Sequence, residues 1–220
     1  MRRALTIIAV SERRSREENK ARTRARLLEA AAKVFALRGY HRAAVEEIAQ
    51  EAGYSTGAVY SNFTGKEDLF LALLDEHIAQ IVREVSEAVH RGGTAVERAQ
   101  AAAAQWMGSF ERDRDLFLLF IEFWSFAVRD PDLRPRIAAR FGAFRDATTR
   151  LIEEAAGELE LTSPVPPAHL AIAANALADG IALEKLVDPA AIPDELFADT
   201  LALLFGTLAP TAERPAEHTA

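Results

Sequence analysis

The sequence contains no cysteine, which excludes disulfides, thiolate metal sites and cysteine nucleophiles together. It also lacks an HExxH pair, a phosphate-loop glycine pattern and a nucleophile elbow. The five histidines, His41, His77, His90, His169 and His218, are scattered along the chain. Glu87 and His90 form a single Glu-x-x-His, whereas a carboxylate-bridged di-metal bundle needs two such motifs and further facing glutamates. The acidic groups Glu153-Glu154 and Glu158/Glu160 read as a solvated helix end. These absences argue against an enzyme and imply no metal and no cofactor. No apolar stretch approaches the roughly 20 residues of a spanning helix. The short run Ala4 to Val10 imitates a signal peptide but leads into Ser-Glu-Arg-Arg-Ser-Arg without a small-residue cleavage site. No membrane partner is expected, and the cytoplasm is the default location. Runs of alternating Val, Ile and Thr bounded by turn residues are missing too, which leaves little room for strands.

What is present is apolar residues, at 50% of the 220, enough for a real core, and a charge that is unevenly placed. The net charge is −7, but residues 1–65 carry +5 and residues 66–220 carry −12. A basic head on an acidic body suits a chain of which one end meets a polyanion, because Lys and Arg gain by releasing condensed counterions. A merely solvated, charge-rich N-terminus would give the same count.

The pattern is helical nearly throughout. Leu27, Leu28, Ala31, Val34 and Phe35 recur at helical spacing in a helix that Thr23 can cap and Gly39 can end. A second helix covers 45–52 and a third 56–62. A long helix follows over 66–90, with Leu69, Leu73, Leu74, Ile78, Ile81 and Val85 on its buried side. Thr94 caps a fifth helix to about Phe110, and an aromatic helix then runs to about Arg129. Pro131 breaks the chain before a helix over 133–157. After the proline-rich loop Thr162 to Pro167 come an Ala-rich helix to Val187 and a last helix over 193–208. The expected architecture is all-α. Its divisions are a disordered basic arm at 1–20, a three-helix head at 21–67, a larger helical domain at 68–209, and a disordered tail at 210–220.

Val45 to Asn62 has the spacing of a helix-turn-helix. Ala49 is small enough for two helices to cross steeply, Gly53 four positions later tolerates φ > 0, and Val59 locks the second helix onto the first. An ordinary αα-hairpin would share part of this pattern. The run Thr23-Arg24-Ala25-Arg26-Leu27-Leu28-Glu29-Ala30-Ala31, then Phe35, Gly39-Tyr40, Val45-Glu46-Glu47-Ile48-Ala49, Gly53 to Phe63 and Lys66-Glu67-Asp68-Leu69 closely resembles the N-terminal domain of the TetR family. Only a looser likeness extends to Ala178 through Glu184, similar to a segment near the dimer helices of such regulators.

The resemblance implies a sequence-specific transcriptional regulator whose third helix enters a DNA groove. Ser55, Thr56, Gly57, Ala58, Tyr60, Ser61 and Asn62 are then its DNA-facing residues, with short side chains for close approach and hydroxyl or amide groups for phosphates and base edges. Tyr60 and Lys66 resemble the family's usual phosphate-contacting pair. Arg42 and Ala44 flank the second helix's N-terminus, and Arg24 and the basic arm can grip the backbone. No guanidinium lies inside the recognition helix, so base reading falls to Thr56, Asn62, apolar contact from Ala58, and DNA shape.

In the second half, aromatics gather in the middle helices. Such spacing forms plain core more often than a ligand box, but the resemblance implies a cavity there. Trp106, Phe110, Phe120, Phe123, Trp124 and Phe144 are the candidate lining, with Gln105, Glu122 and Asn175 as orienting polar contacts for a lipophilic or aromatic effector. The small residues of 168–187 and the apolar face of the last helix suggest half of an intermolecular four-helix bundle, hence a homodimer on a palindromic operator. The reading is a repressor released by a small-molecule effector. The alternative is a helical small-molecule or lipid-binding protein without DNA function.

Overall fold

The computed structural model describes the backbone of residues 2–210 and the side chains of residues 17–210. The side chains of most of the expected arm, and the expected tail beyond Pro210, lie outside the described residues. Nine α-helices follow in order among the described residues: α1 Arg2–Arg42, α2 Val45–Ala52, α3 Thr56–Tyr60, α4 Lys66–Val89, α5 Ala95–Arg112, α6 Arg114–Ala127, α7 Leu133–Glu158, α8 Pro167–Val187 and α9 Leu196–Phe205. Two residue pairs, β1 Leu161–Thr162 and β2 Ala209–Pro210, form a minimal antiparallel bridge. The first helix therefore starts well before Thr23. Ala, Arg, Glu and Lys dominate the segment ahead of it, and all propagate a helix readily.

Backbone contacts divide the chain into two compact units, Met1–His77 with Asp115–Arg134 and Ile78–Arg114 with Pro135–Ala220. This grouping differs from a boundary at 67/68, because α6 joins the head's unit. The reason is visible in that unit's core. Leu27, Ala31 and Phe35 of α1, Ile48 of α2, Val59 of α3 and Leu69 and Phe70 of α4 are fully buried. Phe123 of α6 is buried with them, its ring 4.5 Å from Phe70 and 4.8 Å from Tyr40, and Phe35 stands 5.4 Å from Phe70.

In the other unit, α5 opens on a full capping box. The Thr94 hydroxyl accepts from Glu97 N at 3.3 Å while the Glu97 carboxylate accepts from Thr94 N at 2.8 Å. Trp106 stacks on Phe110 at 6.0 Å and meets Phe197 of α9 edge-on at 5.7 Å. Glu84 ties α4 to α5, accepting from Ser109 Oγ at 2.8 Å, Gln105 Nε2 at 3.0 Å and Arg112 Nη2 at 3.0 Å, and from Gln80 of its own helix at 2.8 Å. Those hydrogen bonds, Gln80's foremost, hold the Glu84 carboxyl down at about 2. A carboxyl lowered in the folded state stabilises above its ordinary value of 4.5 and stops doing so as pH falls toward 2. The side chain is a quarter exposed and its Arg112 partner nearly half, so solvent screening leaves a contribution of at most about 1 kcal/mol. Glu84→Gln is expected to lower the urea midpoint at pH 7 and to flatten the loss of stability between pH 4.5 and 2 relative to wild type.

Candidate DNA-reading head and effector cavity

The turn between α2 and α3 depends on Gly53, which sits at φ 72, ψ 30. Its N–H donates to Gln50 O at 3.1 Å, and Tyr54 N donates to Ala49 O at 2.9 Å, closing α2. A side chain at Gly53 meets no atom within 4 Å, so only the left-handed backbone demands glycine. Ser55 caps α3, its hydroxyl accepting from Ala58 N at 3.2 Å. Val59 then buries one side of α3 completely, and the opposite side stays open. Gly57, Tyr60 and Ser61 are exposed, with Thr56 and Ala58 partly so. Tyr60 keeps 55% of its surface free.

The flanks are held by internal bonds. Asn62 Nδ2 donates to Ala58 O at 2.8 Å, and Arg24 lies 4.2 Å over the Phe63 ring while donating to Asn62 O at 3.2 Å. Lys66 Nζ donates to His41 O at 3.1 Å and Ala43 O at 3.2 Å, and lies 4.8 Å from the Tyr40 ring centre. Arg42 is exposed, with its Nε on Arg38 O. Glu47 accepts from Ala44 N at 3.3 Å, which occupies one amide at the start of α2.

The second unit contains an apolar cavity of about 120 Å³ between α4, α5, α7, α8 and α9. Its walls follow the helix axes. The lining runs from Ala95 to Trp106 on α5 and from Phe144 to Ala156 on α7, about 16 and 18 Å at 1.5 Å per residue. It is a long, narrow slot. A dry engineered cavity of about 150 Å³ accepts benzene, so a longer guest must part the side chains that line it, among them Leu201, Phe205 and Leu208. The polar residues in the lining are Arg98, Thr148 and Asn175. Thr148 and Asn175 meet through Oγ1 and Oδ1 at 3.2 Å, and Asn175 Nδ2 is buried with no hydrogen-bond partner. Arg98 donates to Glu158 at 2.5 Å and to Gly93 O at 3.3 Å. Among the described residues no group of acidic or histidine side chains has metal-site geometry.

Residues 27–73 match the family described as bacterial regulatory proteins, tetR family, and residues 95–209, just over half of the chain, match the BetI-type transcriptional repressor C-terminal family. The chain belongs to the TetR family. A relative is the HTH-type transcriptional activator FasR of Mycolicibacterium smegmatis, 33% identical over 134 residues, which are 61% of this chain and 60% of that one. The fatty acid metabolism regulator protein of Bacillus subtilis is 29% identical over 93 residues, 42% of this chain and 48% of that protein. The chain thus spans less than two thirds of the length of either. The crystal structure of FadR from Bacillus subtilis in complex with stearoyl-CoA superposes with a TM-score of 0.67 over 84% of this chain and 99% of that one, at 21% identity. That likeness is one of fold. The proteins so matched are transcriptional regulators and not enzymes.

Within this TetR framework, the expected effector residues divide. Trp106, Phe144 and Asn175 line the slot together. Phe110 is buried behind Trp106, and Gln105 bonds to Glu84, so neither forms its wall. Phe120, Glu122, Phe123 and Trp124, expected in the lining, stand outside it and belong to the head's unit. Phe123 is core, Phe120 packs beside Phe117, and Trp124 is exposed. Glu122 secures a helix break instead of a ligand. Its carboxylate accepts from Tyr40 N at 3.0 Å and His41 N at 3.1 Å, the two amides freed where Gly39 breaks α1 at φ 74. A Cβ at Gly39 would stand 3.1 Å from that carboxylate, so glycine here serves both the turn and the approach of Glu122. Leaving a buried amide without its acceptor costs about 1–3 kcal/mol. Glu122→Ala is expected to lose that much in denaturant titration. Sequence reasoning missed this role because the two partners are 82 residues apart, and it missed Arg98 because nothing local marks that arginine as buried.

Proposed function

We propose that this protein is a homodimeric transcriptional repressor that binds a palindromic operator through α3 and is released by an apolar, elongated effector held in the slot. The carrying observation is the slot itself, since a packed helical body has no structural use for a channel of apolar side chains. The fatty acyl thioester bound by the Bacillus subtilis neighbour is the kind of guest such a shape suits. DNA contact is assigned to Thr56, Gly57, Ala58, Tyr60 and Ser61 on the open side of α3, with Arg42 and Lys66 toward the backbone. Arg24 and Asn62 chiefly hold α3 in place, and Ser55 and Ala44 sit at the two helix starts.

The dimer reading rests on exposed apolar residues. Ile172, Leu183 and Val187 share one side of α8, the last with 84% of its surface free, and α9 exposes Leu196 and Leu203, the latter at 76%. A second copy laid against these helices would cover them and present two reading heads to the two halves of an operator. Helix α4 supplies Leu69 to Leu74 to the core of the head and Ile81 to Val89 to the slot, so a guest that shifts α4 biases the head. A coupling of 1–3 kcal/mol would change operator affinity about 5–150-fold.

The test is fluorescence anisotropy on duplexes from the gene's own upstream region, with a scrambled duplex and varied salt, followed by titration of medium-chain lipids. Selective, salt-steep binding that lipid reverses is the expected result. Equal weak binding to both duplexes would overturn it in favour of a lipid-binding protein without DNA function.

A further inference from the structure

Resting on the effector reading above, we propose that Arg98 is an anion-exchange site at one end of the slot: the carboxylate or phosphate head of an acyl effector displaces Glu158 from it. Arg98 is the charged residue of the slot's lining, and its side chain is only 11% exposed. A guanidinium so desolvated requires an anion. The anion it has is Glu158, the last residue of α7, which is 47% exposed. The two partners are unequally committed, because Glu158 can return to water at little cost and Arg98 cannot.

Glu158 also has somewhere to go. His90 Nε2 stands 3.7 Å from it and 4.0 Å from Glu154, so a released carboxylate keeps a polar neighbour. The position fits an amphiphile. Arg98 lies near the α5 start of a slot that continues along the helix axis to Trp106 and Phe144. A chain inserted from the solvent side places its tail among apolar residues and its head at the guanidinium. Gly93 O, already bonded to Arg98 Nε, keeps the side chain aimed while its partner changes. A purely structural pair joining α5 to α7 would need none of this and would be indifferent to the charge of the guest.

The experiment is calorimetric titration of full-length wild type, Glu158→Gln and Arg98→Gln with dodecanoate, methyl dodecanoate and dodecanoyl-CoA. In Glu158→Gln the competing anion is gone, and dodecanoate is expected to bind about tenfold tighter, a gain of ~1.4 kcal/mol, with the methyl ester within about twofold of wild type. In Arg98→Gln dodecanoate weakens about tenfold and the ester again holds. Should Arg98→Gln fail to fold, Glu158→Gln decides alone, since its side chain is half in solvent. Equal shifts for acid and ester, or no shift for the acid, the ester or the CoA thioester, would overturn the exchange site while leaving the effector reading intact. Binding of no lipid to any of the three proteins would overturn both. Dodecanoyl-CoA separates the sources: a gain in Glu158→Gln assigns a phosphate-bearing carrier, and no gain beside a dodecanoate gain assigns the free acid.

Discussion

Phe123→Ala is expected to lower the stability of the protein by about 3–5 kcal/mol, the cost of deleting a buried phenyl ring and leaving a cavity that cannot fully collapse. The ring is fully buried. It lies 4.5 Å from Phe70 and 4.8 Å from Tyr40, and those two rings are 5.3 Å apart, so one deletion removes two contacts of a closed aromatic group. Aromatic pairs in such geometry contribute about 0.5–1.5 kcal/mol beyond their buried area. Against a total stability of roughly 5–15 kcal/mol, the loss moves the urea midpoint strongly. Phe123→Leu, which keeps most of the volume, should cost far less. Lipid affinity in calorimetry should change little for the molecules that remain folded, because Phe123 is absent from the slot's lining. A large loss of affinity with unchanged stability would return Phe123 to the effector site.

That residue also shows where sequence reasoning stops. The helices were legible because periodicity, caps and breakers are local: Thr94, Gly53 and Pro167 stand where the turns require them. The reading head was legible for the same reason, being a run of adjacent residues with fixed spacing. The effector cavity was legible only in part, through Trp106, Phe144 and Asn175. Phe123 and Trp106 look alike in sequence, as large apolar residues in neighbouring helices, and only the packing separates one as core from the other as slot wall. Helix α6 buries Leu119, Phe123 and Ala127, and such an apolar face announces burial without saying which neighbour will cover it. The wall of α7, Ala147, Leu151 and Ala155 among others, escaped notice because small apolar residues at helical spacing announce burial without announcing a void.

Ala58→Glu is expected to weaken operator binding at least about 100-fold while leaving the fold intact. Ala58 is only partly buried, and the structural work at this position is done by its backbone, whose N–H donates to Ser55 Oγ and whose carbonyl accepts from Ser61 and Asn62. A new carboxylate leaves those bonds in place. On the open side of α3 it meets a groove walled by phosphates, and like charges brought together at an interface cost several kcal/mol. The opposite substitution, Ala58→Arg, should raise affinity for specific and scrambled duplexes alike and steepen the salt slope by about one counterion. Anisotropy at two salt concentrations reads both effects, with lipid calorimetry as the control that the second unit is undisturbed. Wild-type affinity in Ala58→Glu would mean that the exposed side of α3, Tyr60 included, does not face DNA, and the head would have to approach its operator by another surface.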